Sequence, residues 1–170
     1  ELVDIFRNGK TVGSLIKVKP MKWELIENVI YKLEHEVVTN VFNSNFVTEG
    51  TELLKKLLAQ TKVMSSKYDV MITNPPYLGI SKMEAKPKEY LIANYPDSKS
   101  DMFAMFMEVP FVKQNGFQAI VNPDSWMFLS SFTRLREKLI SDKTLVNMVH
   151  LGLGAFDAVV QTTTFVFRNM

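Results

Sequence analysis

Cysteine is missing from all 170 residues, which removes any disulfide framework and any thiolate metal site and fits a reducing compartment. No apolar run approaches the roughly eighteen residues a spanning helix needs, so no membrane partner is expected. Histidine is scarce: His35 and His150 stand far apart without ligand-spaced partners, so no metal is expected either. A charge excess is lacking as well, since 20 basic and 18 acidic residues leave +2. Whole-chain charge therefore offers no footprint for nucleic acid or membrane, and any such surface has to be a local patch. Repeats, low-complexity tracts and Gly/Ser linkers are absent too. The first residues have neither the basic nor the apolar region of a signal peptide. With Glu1 in first place, the chain is expected to be an excerpt of a longer cytoplasmic protein.

What is present is the composition of a packed domain, 46% apolar and 22% charged. Trp23, Ile26, Ile30 and Leu33 share one face of a helix expected over residues 22–37. Residues 43–50 look polar and turn-like, and 51–64 follow as a second helix burying Leu53, Leu54, Leu57 and Leu58. Tyr68 to Thr73 is an apolar strand that must stop at Asn74-Pro75-Pro76, because two prolines withhold ladder donors. Residues 78–99, polar and lysine-bearing, are expected as a loop or lid. Lys82, Lys86, Lys88 and Lys99 there are balanced by Glu84, Glu89 and Asp97. A helix is expected over 100–114, capped by Ser100, burying Met102, Phe103, Phe106 and Met107, and kinked or shortened by Pro110. A strand over 117–121 precedes a helix capped by Asp124 or Ser125, reaching about residue 140 and burying Phe128, Phe132, Leu135 and Leu139. Strands over 145–151 and 163–167 close the chain. Strand–helix alternation argues for an α/β layered sheet. The short link between the last two strands makes them antiparallel.

The chemistry is expected at Asn74-Pro75-Pro76-Tyr77, because ligands of open α/β sheets bind beyond the carboxyl ends of strands. The prolines stiffen the turn and remove two N–H donors, leaving the Asn74 side-chain oxygen and the Pro75 carbonyl as rigid acceptors suited to an NH₂ group. Tyr77 adds a flat ring on which a planar ligand can stack. The same four residues also suit a plain strand-ending turn with a packed tyrosine.

The run YDVMITNPPYLG resembles the motif of class I methyltransferases that modify exocyclic or amide nitrogens, above all adenine N6 in DNA. Three further blocks follow in order: KSDMFAMFME, NPDSWMFLSSFTRLREKL, and HLG-x-x-AFD with VVQTTTFVF. Together they resemble the large adenine-specific methyltransferases of phage-defence systems (BREX and phage growth limitation) and of type II restriction–modification. The resemblance spans residues 68–167, with weaker similarity at Gly13-Ser14-Leu15-Ile16. It implies the C-terminal half of a class I, Rossmann-like sheet: residues 1–66 a helical lead-in, 67–170 the catalytic-motif half, and the Gly-rich cofactor half outside the chain.

The resemblance also implies roles. Asn74 and the Pro75 carbonyl would accept hydrogen bonds from the target amino group, with Pro76 stiffening the turn, and Tyr77 would stack on an adenine flipped out of DNA. Phe156 would form a second aromatic wall, and Phe106 would line the adenine pocket of S-adenosylmethionine. For both, a plain core role is the competing reading. Gly152-Leu153-Gly154 is taken as a turn admitting close backbone approach. Two other functions stay open: methyl transfer to protein glutamine or RNA, and an inactive half-domain that self-associates through a bare sheet edge.

Overall fold

The computed structural model of the chain describes residues 6–7, 9–19, 21–35, 41–155 and 160–170. The chain divides into two compact units, Glu1–Ser66 and Lys67–Met170.

The first unit is helical. A turn at Gly9–Val12 and a tight 3-10 turn at Gly13–Leu15 precede α1 (Trp23–His35) and α2 (Val41–Ser65). Ile30 of α1 is buried, with Trp23, Ile26 and Leu33 half-buried on the expected face. The helix α2 runs through residues 43–50, where a polar turn was expected. Its buried positions are Thr51, Leu58 and Thr61, with Leu54 and Leu57 half-buried and Leu53 exposed. Polar Thr51 and Thr61 can face inward because each hydroxyl donates to the carbonyl four residues back. Ion pairs Lys62–Glu27 and Lys55–Glu34 tie the two helices along their wet sides.

The second unit is one four-stranded sheet: β1 (Tyr68–Thr73), β2 (Val112–Pro123), β3 (Lys143–Gly152) and β4 (Thr162–Asn169). The spatial order is β1-β2-β4-β3. Strands β1 and β2 are parallel, and β4 is wedged antiparallel between β2 and β3. This is the expected α/β sheet, with the closing pair antiparallel. Opposite Tyr68 and Val70 the chain of β2 bulges, with Asn115 at φ +63° and Gly116 pressed against β1.

One face of the sheet is covered. Ile120, Phe165 and Phe167 pack under Phe103, Ala104 and Met107 on one side and Trp126, Phe132, Leu135 and Leu139 on the other. Each such aliphatic or aromatic side chain contributes about 1.5–3 kcal/mol on burial. The buried polar Gln118 on this face donates to the Phe106 carbonyl (3.1 Å) and accepts from Lys143, so neither end of its amide is orphaned. The opposite face keeps Val70, Ile72, Phe117 and Val149 exposed, Ile72 at 79%.

The connections differ from the sequence expectation in three places. Residues 78–99 carry a 3-10 turn and a ten-residue helix, α3 (Ala85–Asn94), with Leu91 fully buried. The helix expected over 100–114 is a single turn, α4 (Met102–Met105), capped by Asp101 rather than Ser100. Phe103 reaches the core from α4 and Met107 through the tight turns after it, and Pro110 then leads the chain into β2. The helix expected from Asp124 resolves into two 3-10 turns (124–127 and 130–132) and a shorter α5 (Thr133–Asp142). That break rotates Phe128 out of the core; it is 71% exposed.

Candidate functional site

The site is built where β1 ends. Thr73 lies opposite Ile120 in parallel register, so the chain leaves the sheet at Asn74 level with Val121 of β2. Asn74 is exposed, Pro75 buried, Pro76 exposed and Tyr77 half-buried. Burying Pro75 costs no donor, because proline has no N–H to leave unpaired. The turn is thus fixed from below while the Asn74 amide faces outward.

The Tyr77 ring meets Phe103 edge-on, with centroids 6.3 Å apart at 84°. Its hydroxyl donates to Asn74 Oδ1 at 3.0 Å and lies 3.3 Å from the Val121 carbonyl oxygen. Burial holds the phenol above its ordinary value, so it remains a neutral donor. Asn74 Oδ1 thus serves as an acceptor at the rim, with an aromatic ring beside it.

The exit of the turn is pinned by a residue that the sequence reading passed over. Asp101 caps α4 by accepting the Phe103 N–H at 3.2 Å. Around it the Met102 N–H donates to the Leu78 carbonyl (3.1 Å), Ile80 donates to Ser100 (3.2 Å), and Gly79 bridges Asp101. Burial raises the Asp101 carboxyl above its ordinary value, and the N–H groups of Phe103, Leu78 and Met102 oppose that rise. The signal was present in the sequence: an Asp directly before an apolar helical run is as good an N-cap as the Ser one position earlier.

Phe106 is half-buried at the end of α4, its carbonyl held by Gln118. Phe103, one turn earlier, is the aromatic of this segment that touches Tyr77. Phe156 lies outside the described residues. Gly152 and Gly154 have φ of +73° and +81° with open space where a Cβ would stand. Both need the left-handed backbone that glycine adopts without strain. On the same rim, His150 Nε2 and Asp124 Oδ2 pair at 3.0 Å, joining the ends of β3 and β2. His35 stacks on Tyr31 with centroids 4.1 Å apart.

The family model for the Eco57I restriction-modification methylase matches residues 12–156. Two curated relatives are each 39% identical: the adenine-specific methyltransferase BrxX of Escherichia coli O9:H4 (strain HS), over 97% of this chain, and the adenine-specific methyltransferase PglX of Lacticaseibacillus casei (strain Zhang), over 96%. The chain spans 14% of the length of either relative. A solved structure of a candidate class I S-adenosylmethionine-dependent methyltransferase from Listeria monocytogenes overlays 98% of this chain and 65% of its own. That overlay has a TM-score of 0.49 at 13% identity.

Proposed function

The chain belongs to the Eco57I restriction-modification methylase family, and on that premise we propose that it is the catalytic-motif segment of a longer enzyme methylating the N6 amino group of adenine in DNA. The enzyme serves in a restriction–modification or phage-defence system of the cytoplasm. Residues 67–170 form the catalytic half and 1–66 a helical lead-in. Among the described residues no helix is long and apolar enough to cross a membrane.

S-adenosylmethionine, when bound, supplies the methyl group as an electrophile on sulfur. The residues present suit one wall of its site. The partly buried Phe106 ring follows α4, where its backbone is fixed by Gln118, and would offer a flat apolar surface for an adenine ring. The chain's own contribution is on the acceptor side. Asn74 Oδ1 and the Pro75 carbonyl take the two N–H groups of the target amine. That draws the nitrogen lone pair out of ring conjugation and aims it outward from the turn. Pro76 stiffens the turn, which keeps the acceptors preorganised instead of reorganising during reaction. Tyr77 stacks on the extruded base, with Phe156 as the opposite wall. The observation that carries this reading is the Tyr77 hydroxyl on Asn74 Oδ1, 3.0 Å away: an N–H or O–H donor placed over that turn finds the amide oxygen.

The test is a methyl-acceptor comparison with the complete enzyme, offering DNA, RNA and protein with labelled S-adenosylmethionine. Label in DNA supports the proposal, and label in RNA or in glutamine side chains overturns the choice of substrate. A second reading draws on the uncovered sheet face, where Ile72 and Val70 are 79% and 53% exposed. The isolated segment would then self-associate without catalysing anything. Sedimentation of the 170 residues decides that, a concentration-independent monomer speaking against it.

A further inference from the structure

The loop after β2 exposes what a core helix would have hidden. Phe128 is 71% exposed and Leu129 52%, and the loop that carries them is firmly built. Trp126 anchors it from below, its ring buried with centroids 5.2 Å from Phe165 and 6.5 Å from Phe167. Phe128 and Leu129 both donate their N–H to the Ser125 carbonyl, at 3.2 and 3.0 Å. From the following helix, Arg136 Nη1 donates to the Trp126 and Leu129 carbonyls, 2.8 Å each, and Nη2 to Thr133 Oγ1 at 3.1 Å. One guanidinium therefore clamps the backbone on both sides of Phe128. A planar fork with fixed donors suits that task, where a flexible ammonium would hold one carbonyl at a time. An apolar pair exposed on a braced loop is costly in water and loses little freedom on binding, the combination found at contact residues.

The loop's position says what it meets. It starts at the carboxyl end of β2, three residues after Val121, whose carbonyl lies within reach of the Tyr77 hydroxyl. Adjacent strands are about 4.8 Å apart, so the loop stands on the same rim as Asn74 and Tyr77 and one strand over. Asp124 and Glu137 flank this stretch and Arg136 is engaged by the backbone, which leaves the exposed Arg134, with Ser130 and Ser131, as the group to meet a phosphodiester beside the apolar contact.

We propose that Phe128, with Leu129, stacks on a nucleobase of the DNA next to the flipped target, Arg136 acting as the positioning residue that keeps the ring presented. The inference rests on the DNA-methyltransferase reading and adds a contact that the catalytic turn does not need. Extruding a base leaves neighbours without a stacking partner, and an apolar side chain standing on the stack replaces part of what is lost.

The test uses the complete enzyme and a labelled duplex carrying a sequence it methylates. Phe128→Ala should weaken duplex binding by about tenfold, Phe128→Trp should restore it, and Arg136→Gln should fall between. In the two Phe128 variants the affinity for S-adenosylmethionine and the thermal midpoint should stay with the parent. Unchanged duplex affinity in Phe128→Ala overturns the proposal. A lowered midpoint or a changed oligomeric state with unchanged duplex affinity also overturns it, since the ring is then covered by protein. Failure of the underlying reading looks different, because the parent enzyme itself would then neither bind nor methylate DNA.

Discussion

The Tyr77 hydroxyl has one proton and two acceptors in reach: Asn74 Oδ1 at 3.0 Å and the Val121 carbonyl at 3.3 Å. The amide oxygen proposed to receive the target amine is therefore held by a side chain three residues away, and the phenol has a second acceptor available when the amide is wanted elsewhere. The tyrosine thereby links the turn after β1 to the end of β2, besides offering its ring.

Ring and hydroxyl separate in two variants. Tyr77→Phe keeps the stacking surface and should retain methyl transfer within about tenfold of the parent, the worth of one neutral hydrogen bond. Tyr77→Ala removes the ring and should lose a further ten- to hundredfold in kcat/KM, about the worth of one stacked base. Steady-state kinetics on duplex DNA checks both. Equal losses in the two variants would assign the role to the hydroxyl, against the stacking account.

Gly116 is a packing requirement of the sheet. A Cβ there would stand 2.7 Å from the Asp69 carbonyl oxygen of β1 and 2.7 Å from Val112 Cγ1. The first of these is backbone and cannot swing away, so β1 and β2 must part. Gly116→Ala should cost about 1–3 kcal/mol, as overpacking does, seen as a lower midpoint in urea. An unchanged midpoint would mean the bulge yields freely.

Lys143 supplies a pH dependence. Burial pushes its amine down to about 8 from 10.5, against the pull of Asp142 and Glu108. Below pH 8 folded and unfolded chains both hold the proton, and the cost of burying the ammonium is borne in full. Between about 8 and 10.5 the unfolded chain binds more protons, so unfolding free energy rises with pH across that window. The difference in stability between the parent and Lys143→Gln, followed by urea unfolding from pH 7.5 to 10 (about the range that spans the window), should shift in the parent's favour as pH increases. A flat or falling difference contradicts this placement of the amine.

The turn after β1 was legible because an apolar strand meeting two prolines has no alternative but to end there, and β1 was read at Tyr68–Thr73, as found. The start of β2 was not, since Asn115-Gly116 reads as a turn between elements and acts instead as a bulge within one strand. Phe128, Phe132, Leu135 and Leu139 fit a single helical stripe by spacing alone. The last three are buried, while 3-10 turns between Asp124 and Phe132 carry the first outward. Hydrophobic spacing records which residues share a face only while the backbone stays regular. The apolar pattern of residues 102–107 is equally helical, yet tight turns after Met105 deliver Met107 to the core without a helix. Arg136 carried no local signal at all, because its partners are backbone carbonyls, which every sequence has.

The most direct measurement is nucleoside analysis of DNA treated with the complete enzyme and S-adenosylmethionine, for the parent and for Asn74→Ala. Asn74 is exposed, so its replacement should leave folding unchanged. The account predicts N6-methyladenine with the parent and a loss of about a hundredfold or more with the variant, the size of effect seen when a preorganised polar group is removed from an active site. N6-methyladenine formed at an undiminished rate by Asn74→Ala would contradict it.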